Sequence, residues 1–297
     1  MRFIFLILIF SFSTQAKEIA LTFDDAPMNS SQHFDTNSRT EELIQKLKTL
    51  NVPEAMIFAN PCKGDSSTSV VAQLKKYIEA GFLIGNHTCS HPKLDDVGFA
   101  DFSKDAEKAD KMLSSLFRGQ KFFRFPFLNE GKNEKLRNQM QDWLKANQYR
   151  NGMVSVDTDD YIFSWAINQA KHQGKKIDYK KIETLFLKHL IGAVDFYDDL
   201  AVKTIGYSPK HVILLHEMDA TVMFIDSLVK ELRKNGWKII SAKDAFEDKL
   251  YFEQPKNIYT NNGIIAQVAM EKTGEKFEYN NFDKVKTELE NILGLKK

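Results

Sequence analysis

The 297-residue chain carries 41 Lys and Arg against 40 Asp and Glu, which leaves a formal net charge of +1 at pH 7. So small a net charge, with both signs interspersed, gives no electrostatic basis for binding nucleic acid or an anionic membrane surface. The length suits one large domain, or one domain with an extension, and the share of hydrophobic residues, 43%, is ordinary for a globular protein.

The first sixteen residues resemble an export signal rather than part of the fold. Arg2 precedes an apolar run over 3–10, and a segment over 11–16 follows that ends in Thr14, Gln15 and Ala16. This order is typical of a secretory signal peptide, and the run is short for a bilayer span. We predict a signal peptide at 1–16 and an exported protein, periplasmic or secreted, with no stable membrane insertion after cleavage. An uncleaved N-terminal anchor is the alternative.

Beyond the signal, short apolar strands alternate with amphipathic helices. Strands are predicted over 18–23, 55–59, 82–86, 121–125, 152–156, 211–215 and 237–240. Helices are predicted over 40–50, 69–80, 101–117, 133–147, 177–190, 195–204, 220–235 and 282–293. This alternation predicts parallel strands with helical crossovers. Because no GxGxxG follows the first strand, a nearly closed β/α barrel is favoured over a dinucleotide-binding sheet.

Reactive side chains follow five of the predicted strands, and chemistry gathers at this end of β/α barrels. The stretches are TFDDAP (22–27), NHTCSHP (86–92), RFPF (124–127), DTDDY (157–161) and LLHE (214–217). Each alone has an ordinary structural explanation, such as a helix cap or a surface charge. Five of them in succession, each at a strand end, indicate one assembled site.

His87 and His91 are the first indication of a metal. Four residues are about one helical turn, so both imidazoles can face the same point. Imidazole is a common zinc ligand, and a catalytic zinc site takes three protein ligands and keeps one position open. The pair alone favours surface or capping histidines at a strand end. A zinc site at this pair requires a third ligand elsewhere in the chain.

Together the five stretches resemble the motifs of the NodB-homology polysaccharide deacetylases, carbohydrate esterase family 4. The resemblance spans about 18–245, and it departs from the family pattern at Ala26, where Gly is usual, and at Tyr161, where Trp is usual. It implies an α/β fold, a distorted (β/α)7 barrel of the glycoside hydrolase-deacetylase type. The implied catalytic domain covers 17–250, followed by a C-terminal extension over 251–297.

The resemblance also implies a metal-dependent hydrolase of non-peptide carbon–nitrogen bonds, which removes N-acetyl groups from N-acetylglucosamine-type sugars in a polysaccharide. Asp25, His87 and His91 would be the metal ligands, a set that suits Zn²⁺, Co²⁺ or another divalent ion. Asp24 would be the base that deprotonates water, with its side chain pointing away from that of Asp25. Arg124 would hold Asp24 in place and keep it ionised.

The remaining roles concern the leaving group and the acetyl group. By resemblance, His216 protonates the departing amine, and Asp160 is its partner and raises its pKa. The backbone N–H of Phe127 would donate to the oxyanion. Tyr161 and Leu215 would form the wall of a small apolar pocket for the acetyl methyl group.

Cys62 and Cys89 are the only cysteines, and they follow neighbouring predicted strands. Export permits a disulfide between their loops. Two unpaired residues, or Cys89 as a fourth metal ligand, are the alternatives.

Other functions also stay open. They are an O-acetyl esterase of the xylan type, a catalytically silent glycan-binding relative, and a small-amide or allantoin-type hydrolase on the same scaffold. The expected partner is an N-acetylated glycan, whether peptidoglycan, chitin-like or exopolysaccharide. We expect a monomer.

Overall fold

The computed structural model describes residues 17–63, 70–279 and 281–295. The predicted signal peptide, 1–16, lies outside these ranges. Within them, no helix has the length and apolar character needed to cross a membrane.

The described strands form one parallel sheet in which the two longest strands, β1 and β6, are neighbours. The strands are β1 (Glu18–Ala26), β2 (Met56–Ala59), β3 (Leu83–Asn86), β4 (Lys121–Phe123), β5 (Tyr149–Asn151), β6 (His211–His216) and β7 (Lys238–Ile239). Their order is β5-β4-β3-β2-β1-β6, and β7 pairs with the start of β1.

The sheet curls until its two edges meet. Val156, which follows the edge strand β5, forms a parallel bridge with Ile213 of the other edge strand, β6. The N–H of Leu214 donates to the carbonyl of Val156 at 2.9 Å. A single bridge leaves the closure irregular, and the predicted distorted β/α barrel is confirmed.

Helices surround the sheet. They are α1 (Thr36–Thr49), α2 (Val70–Glu79), α3 (Leu94–Leu113), α4 (Glu134–Ala146), α5 (Tyr161–His172), α6 (Tyr179–Ile205), α7 (Asp219–Lys234), α8 (Ala242–Phe246), α9 (Ile264–Thr273) and α10 (Phe282–Leu293). Side-chain caps define several beginnings: Asp35 accepts from the N–H of Ser38, and Asn133 from that of Leu136.

The predicted strand over 152–156 is wrong, because the fifth strand lies at Tyr149–Asn151. The apolar residues that suggested a strand are buried, but they leave the neighbourhood of β4 and turn toward β6. The N–H groups of Ser155 and Val156 both donate to the carbonyl of Val212. The apolar pattern therefore marked the segment that closes the barrel.

The two helices predicted over 177–190 and 195–204 form one continuous helix, α6, of 27 residues. The residues between them are not a loop, since Ala193 and Val194 are wholly buried. Gly192 has a low helix propensity and would by itself weaken the helix at this point, but the packing of its buried neighbours stabilises the helix through it.

Alternation along β1 and β6 divides the core into two layers. Side chains of one parity fill the barrel interior, and those of the other parity pack against the helices. The interior set includes Ala20, Phe58, Phe122, Val212 and Leu214. The helix-facing set includes Ile19, Leu21, Phe23, Ile213 and Leu215. The same alternation continues toward the carboxyl ends of β1 and β6. There the side chains on the interior side are those of Thr22, Asp24 and His216, so these polar residues lie over the barrel core.

The helices of the C-terminal extension belong to the same core. Ile264 and Ile265 of α9, and Leu289 and Leu293 of α10, are buried in the helix-facing layer. Helix α9 packs on α6, and α10 packs on α5 and α6.

Candidate active site at the carboxyl end of the barrel

The end of β1 brings two consecutive carboxylates into one place. The register with β2 shifts between Asp24 and Ala26, and Asp25 has a φ of 69°, which is uncommon outside glycine. At this bulge both side chains reach His87, whose Nε2 is 3.5 Å from Asp24 Oδ2 and 4.0 Å from Asp25 Oδ1. The expectation that the two carboxylates point apart is wrong.

His91 joins this group from a loop rather than from a helix. Positive φ angles at Thr88 (66°) and His91 (61°) turn the loop, so that the two imidazole centroids lie 4.9 Å apart. The ligand atoms of Asp25, His87 and His91 lie within 4.8 Å of one another. Nδ1 of His87 is 2.8 Å from the carbonyl oxygen of Arg124, which orients the ring and directs Nε2 toward the carboxylates.

The electrostatics of these three residues suit a divalent cation. Burial lowers the pKa of His87 well below its usual range and that of His91 to about 4, so both imidazoles are neutral at pH 7. Burial alone would raise the pKa of Asp25, but His91 and other neighbouring basic groups, Lys63 among them, hold it below its ordinary value. Neutral imidazoles and an ionised carboxylate are the forms that bind metal.

Arg124 is buried and fully enclosed. Its Nη1 donates to Asp24 Oδ1 at 2.6 Å and to Thr22 Oγ1 at 2.9 Å, and its Nε donates to the carbonyl of Gly152 at 2.7 Å. The guanidinium lies 3.8 Å from the ring centroid of Phe58. Nevertheless, burial raises the pKa of Asp24 to about 6, because desolvation outweighs the attraction of Arg124. With this pKa the carboxylate is still largely ionised at pH 7.

His216 lies next to Asp24, its register partner on β6. Its Nδ1 is 2.6 Å from Asp160 Oδ1, and its backbone N–H donates to Asp160 Oδ2 at 2.9 Å. Thr221 donates to the same Oδ2 at 2.5 Å. Burial would lower the pKa of His216, but the Asp160 carboxylate outweighs it and raises the pKa to about 9. The imidazole is therefore protonated at neutral pH.

Phe127 and Tyr161 flank the site. Phe127 has a φ of 59° and a half-exposed side chain, and its ring centroid lies 4.5 Å from that of His91. Tyr161 is the first residue of α5, and its ring meets that of His216 edge to face at 5.7 Å. Its hydroxyl donates to Asp159 Oδ1 at 3.3 Å.

Leu215 does not line the site. It is wholly buried in the helix-facing layer, because its side chain has the opposite parity to His216 on the same strand. The interior-facing leucine of β6 is Leu214. The prediction of Leu215 as a pocket wall is wrong.

Sequence reasoning missed Lys63. Its Nζ lies 3.3 Å from Asp25 Oδ1, so a cation contacts one of the candidate ligands. The only signal in the sequence was its place directly after Cys62.

It also missed a buried network that holds the loop after β1. Arg39 binds Asp219 at 2.8 Å and donates to the carbonyl of Met28. The N–H of Met28 donates to Glu217, which also accepts from Tyr77. Both acidic residues lie within three residues of His216 along the chain, so the network couples the ends of β1 and β6.

Cys62 and Cys89 form a disulfide, with their Cα atoms 4.8 Å apart. The N–H of Cys62 also donates to the carbonyl of Cys89 at 3.1 Å. The bond ties the loop after β2 to the loop that carries His87 and His91. Cys89 is therefore not a free thiol available as a fourth ligand.

Reduction of this disulfide should lower the stability of the protein. The crosslink spans a sequence separation of 27 residues, for which loop-closure entropy gives a loss of about 3–4 kcal/mol. Thermal unfolding with and without a reductant measures the effect. The Cys62→Ser/Cys89→Ser double variant is the control, since its Tm should be low already and should not respond to the reductant. Equal Tm values for the oxidised and reduced wild type would contradict the prediction.

Comparison with known proteins supports the motif assignment. The polysaccharide deacetylase family model matches residues 12–144. A peptidoglycan-N-acetylglucosamine deacetylase from Bacillus cereus is 25% identical over 237 residues, which are 77% of this chain and 68% of that protein. This alignment is longer than the family match, which ends before the fourth and fifth motifs. The resemblance predicted from the sequence is confirmed.

Solved structures show the same fold. A polysaccharide deacetylase from Bacillus cereus superposes with a TM-score of 0.52 at 19% identity, covering 76% of this chain and 91% of its own. A pseudoenzyme of carbohydrate esterase family 4 from Bacillus anthracis gives a TM-score of 0.53 at 17% identity, covering 78% and 66%. The fold therefore occurs in a protein described as a deacetylase and in one described as a pseudoenzyme, so function has to be argued from the site.

Proposed function

We propose that this chain, which carries a polysaccharide deacetylase domain, hydrolyses the N-acetyl groups of N-acetylglucosamine-type sugars in a glycan outside the cell. The observation that carries the proposal is the pairing of Asp24 and His216. They are neighbours on adjacent strands beside the Asp25, His87 and His91 cluster, and their surroundings give them different pKa values. Such a pair supplies a base and an acid at the same pH.

The reaction follows from these two residues. Asp24 removes a proton from a water molecule as the water oxygen bonds to the acetyl carbonyl carbon. The backbone N–H of Phe127 donates to the oxygen that becomes negatively charged. The carbon–nitrogen bond then breaks, and His216 gives its proton to the departing amine, which could not leave as an anion. The products are acetate and a free amino sugar.

Arg124 and Asp160 are positioning residues in this scheme. The first orients Asp24 by a hydrogen bond at 2.6 Å, and the second orients His216 and keeps it protonated.

Asp25, His87 and His91 fit a divalent cation, with Zn²⁺ the ion that best matches two imidazoles and a carboxylate. When bound, such an ion polarises a carbonyl and lowers the pKa of a coordinated water. The fit rests on the closeness of the three ligand atoms and on the neutral state of both imidazoles.

His87→Ala should reduce the metal content to a small fraction of that in the wild type, because only two of the three protein ligands, Asp25 and His91, remain to bind the ion. Elemental analysis of the purified proteins gives the ratio. His189→Ala is a matched control, since His189 is also buried, at 3% exposure, but lies in α6. Equal metal content in His87→Ala and wild type would remove His87 from the ligand set.

Acetate release from a panel of glycans tests the function itself. We expect release from N-acetylated glycans, loss of release with a chelator, and recovery when Zn²⁺ is added. Acetate from acetylated xylan alone would favour the O-acetyl esterase. No release from any substrate by a metal-loaded protein would favour the silent glycan-binding relative, a possibility raised by the pseudoenzyme of the same fold.

A further inference from the structure

The loop after β2 places a lysine against the candidate metal ligands. Nζ of Lys63 lies 3.3 Å from Oδ1 of Asp25. The same oxygen faces both imidazoles, at 3.4 Å from Nε2 of His91 and 4.0 Å from Nε2 of His87. An ion held by these three ligands and the ammonium group of Lys63 would therefore share one carboxylate oxygen. Because both are positively charged, they would repel each other there.

Hydrogen bonds of the loop backbone fix the position of this lysine. The N–H of Lys63 donates to the carbonyl of Asn60 at 3.0 Å, and the N–H of Asn60 donates to the carbonyl of Ala26 at 2.8 Å. The side-chain amide of Asn60 donates to the carbonyl of His87. The residue before Lys63 forms the disulfide to the histidine loop. The loop is thus bonded to both segments that carry the ligands, and it holds Lys63 next to Asp25.

The lysine side chain has a free path to solvent. It keeps 30% of its surface exposed, whereas the side chain of Asp25 keeps 10%. Lysine carries a compact charge on a flexible stem, so its head can move outward while the loop stays in place. Groups that contact a ligand from outside typically change metal affinity by about 10–100-fold. The direction here is a loss of affinity, because an ammonium group on Asp25 opposes a second positive charge.

We propose that Lys63 is an internal competitor that limits the affinity of the Asp25, His87 and His91 cluster for a divalent ion, and that binding of the ion displaces the ammonium group from Asp25 toward solvent. Lys63 thereby sets the ion concentration at which the protein becomes loaded. The inference rests on the metal site of the proposed function. It does not rest on the reaction, since it requires an ion at the cluster but no hydrolysis of a glycan.

Lys63→Met tests the competition, because methionine keeps much of the stem and removes the charge. Titration of the zinc-loaded full chain with a chelator that changes colour on binding Zn²⁺ gives the Kd. We expect the Kd of Lys63→Met for Zn²⁺ to be about tenfold lower than that of the wild type. Lys63→Arg keeps the charge and should stay close to the wild type. Lys76→Met is the control, since Lys76 is similarly exposed, at 34%, and binds Glu41 at 2.6 Å in the helical layer.

The displacement of the ammonium group has a separate readout in the wild type. An amine-reactive acetylating ester, followed by peptide mass spectrometry, reports the rate at which each lysine is modified. Lys63 should react faster in the presence of Zn²⁺ than in the presence of a chelator, whereas Lys76 should react equally in both. This measurement needs no variant, so it decides the proposal even if a substitution prevents folding.

Several outcomes would overturn the proposal. They are a Kd of Lys63→Met equal to or higher than that of the wild type, an equal gain of affinity in Lys76→Met, and labelling of Lys63 that does not change with Zn²⁺. If neither the wild type nor Lys63→Met binds Zn²⁺, the proposal and the metal site fail together. If the Kd values differ as expected but the wild type releases acetate from no glycan, the proposed function fails and the role of Lys63 is supported.

Discussion

Asp24→Asn is expected to lower the turnover of an N-acetylated glycan by about 10²–10⁴-fold, the usual contribution of a general base. Asparagine keeps the shape of the side chain but has no basic oxygen that can take a proton from water at neutral pH. The change leaves Asp25, His87 and His91 intact, so the metal content should stay at the wild-type level. Steady-state kinetics and elemental analysis on the same preparation measure both effects.

Asp25→Asn is the matched control variant for this experiment. Its carboxylate is a candidate ligand rather than the base, so this variant should lose metal and turnover together. The two aspartates are adjacent in sequence and both approach His87, which makes the contrast a strict test of their roles. Loss of metal in Asp24→Asn equal to that in Asp25→Asn would show that Asp24 is a ligand.

His216→Ala is expected to slow N-deacetylation by about 10²–10⁴-fold and to slow cleavage of an activated acetate ester far less. An amine needs a proton in order to leave, whereas a nitrophenolate leaves without one. The measurement is the ratio of kcat/KM for the two substrates in the variant and in the wild type. If the variant slowed both substrates equally, His216 could not be the acid for the leaving group.

The pH profile of the wild type gives an independent view of His216. Its protonated form is the active one, so activity on the amide should fall as the pH rises through the pKa of His216, which is about 9 without a metal and would be lowered by a bound cation. Asp24 acts in its deprotonated form. Without a metal, this form is lost as the pH falls through about 6, and a bound cation would move this acidic limit of activity to lower pH. Asp160→Asn should move the alkaline limit to lower pH, because the carboxylate that raises the pKa of His216 is gone. An alkaline limit unmoved in Asp160→Asn would contradict this role.

Much of the architecture could be predicted because buried parallel strands are short apolar runs that end where polar side chains begin. The ends of β1, β3 and β6 were placed to within three residues by this change alone. The same reasoning failed at Val154 and Val156, because a buried apolar segment has the same pattern whichever neighbouring strand it pairs with. Only the closure of the barrel decides that these residues meet β6.

Details of the site depended on backbone conformations that side-chain patterns do not reveal. A bulge at Asp25 brings adjacent carboxylates together, and a turn with positive φ at Thr88 and His91 replaces the expected helical turn. The error at Leu215 came from assigning a residue next to His216 without applying the alternation of the strand. The high pKa of His216 was predictable from its partner Asp160, whereas the effect of burial on Asp24 required the fold.

The packing of α10 against α5 has a consequence for the order in which the protein folds. Helix α5 begins at Tyr161, whose ring contacts that of His216, and it is contacted by a helix that ends at Leu293. The last of the five motifs ends at Glu217, well before α10 begins at Phe282, so one side of α5 stays uncovered until the C-terminal helix has packed on it. A chain shortened before Phe282 would therefore keep every catalytic motif and lose the support of the helix that begins at Tyr161.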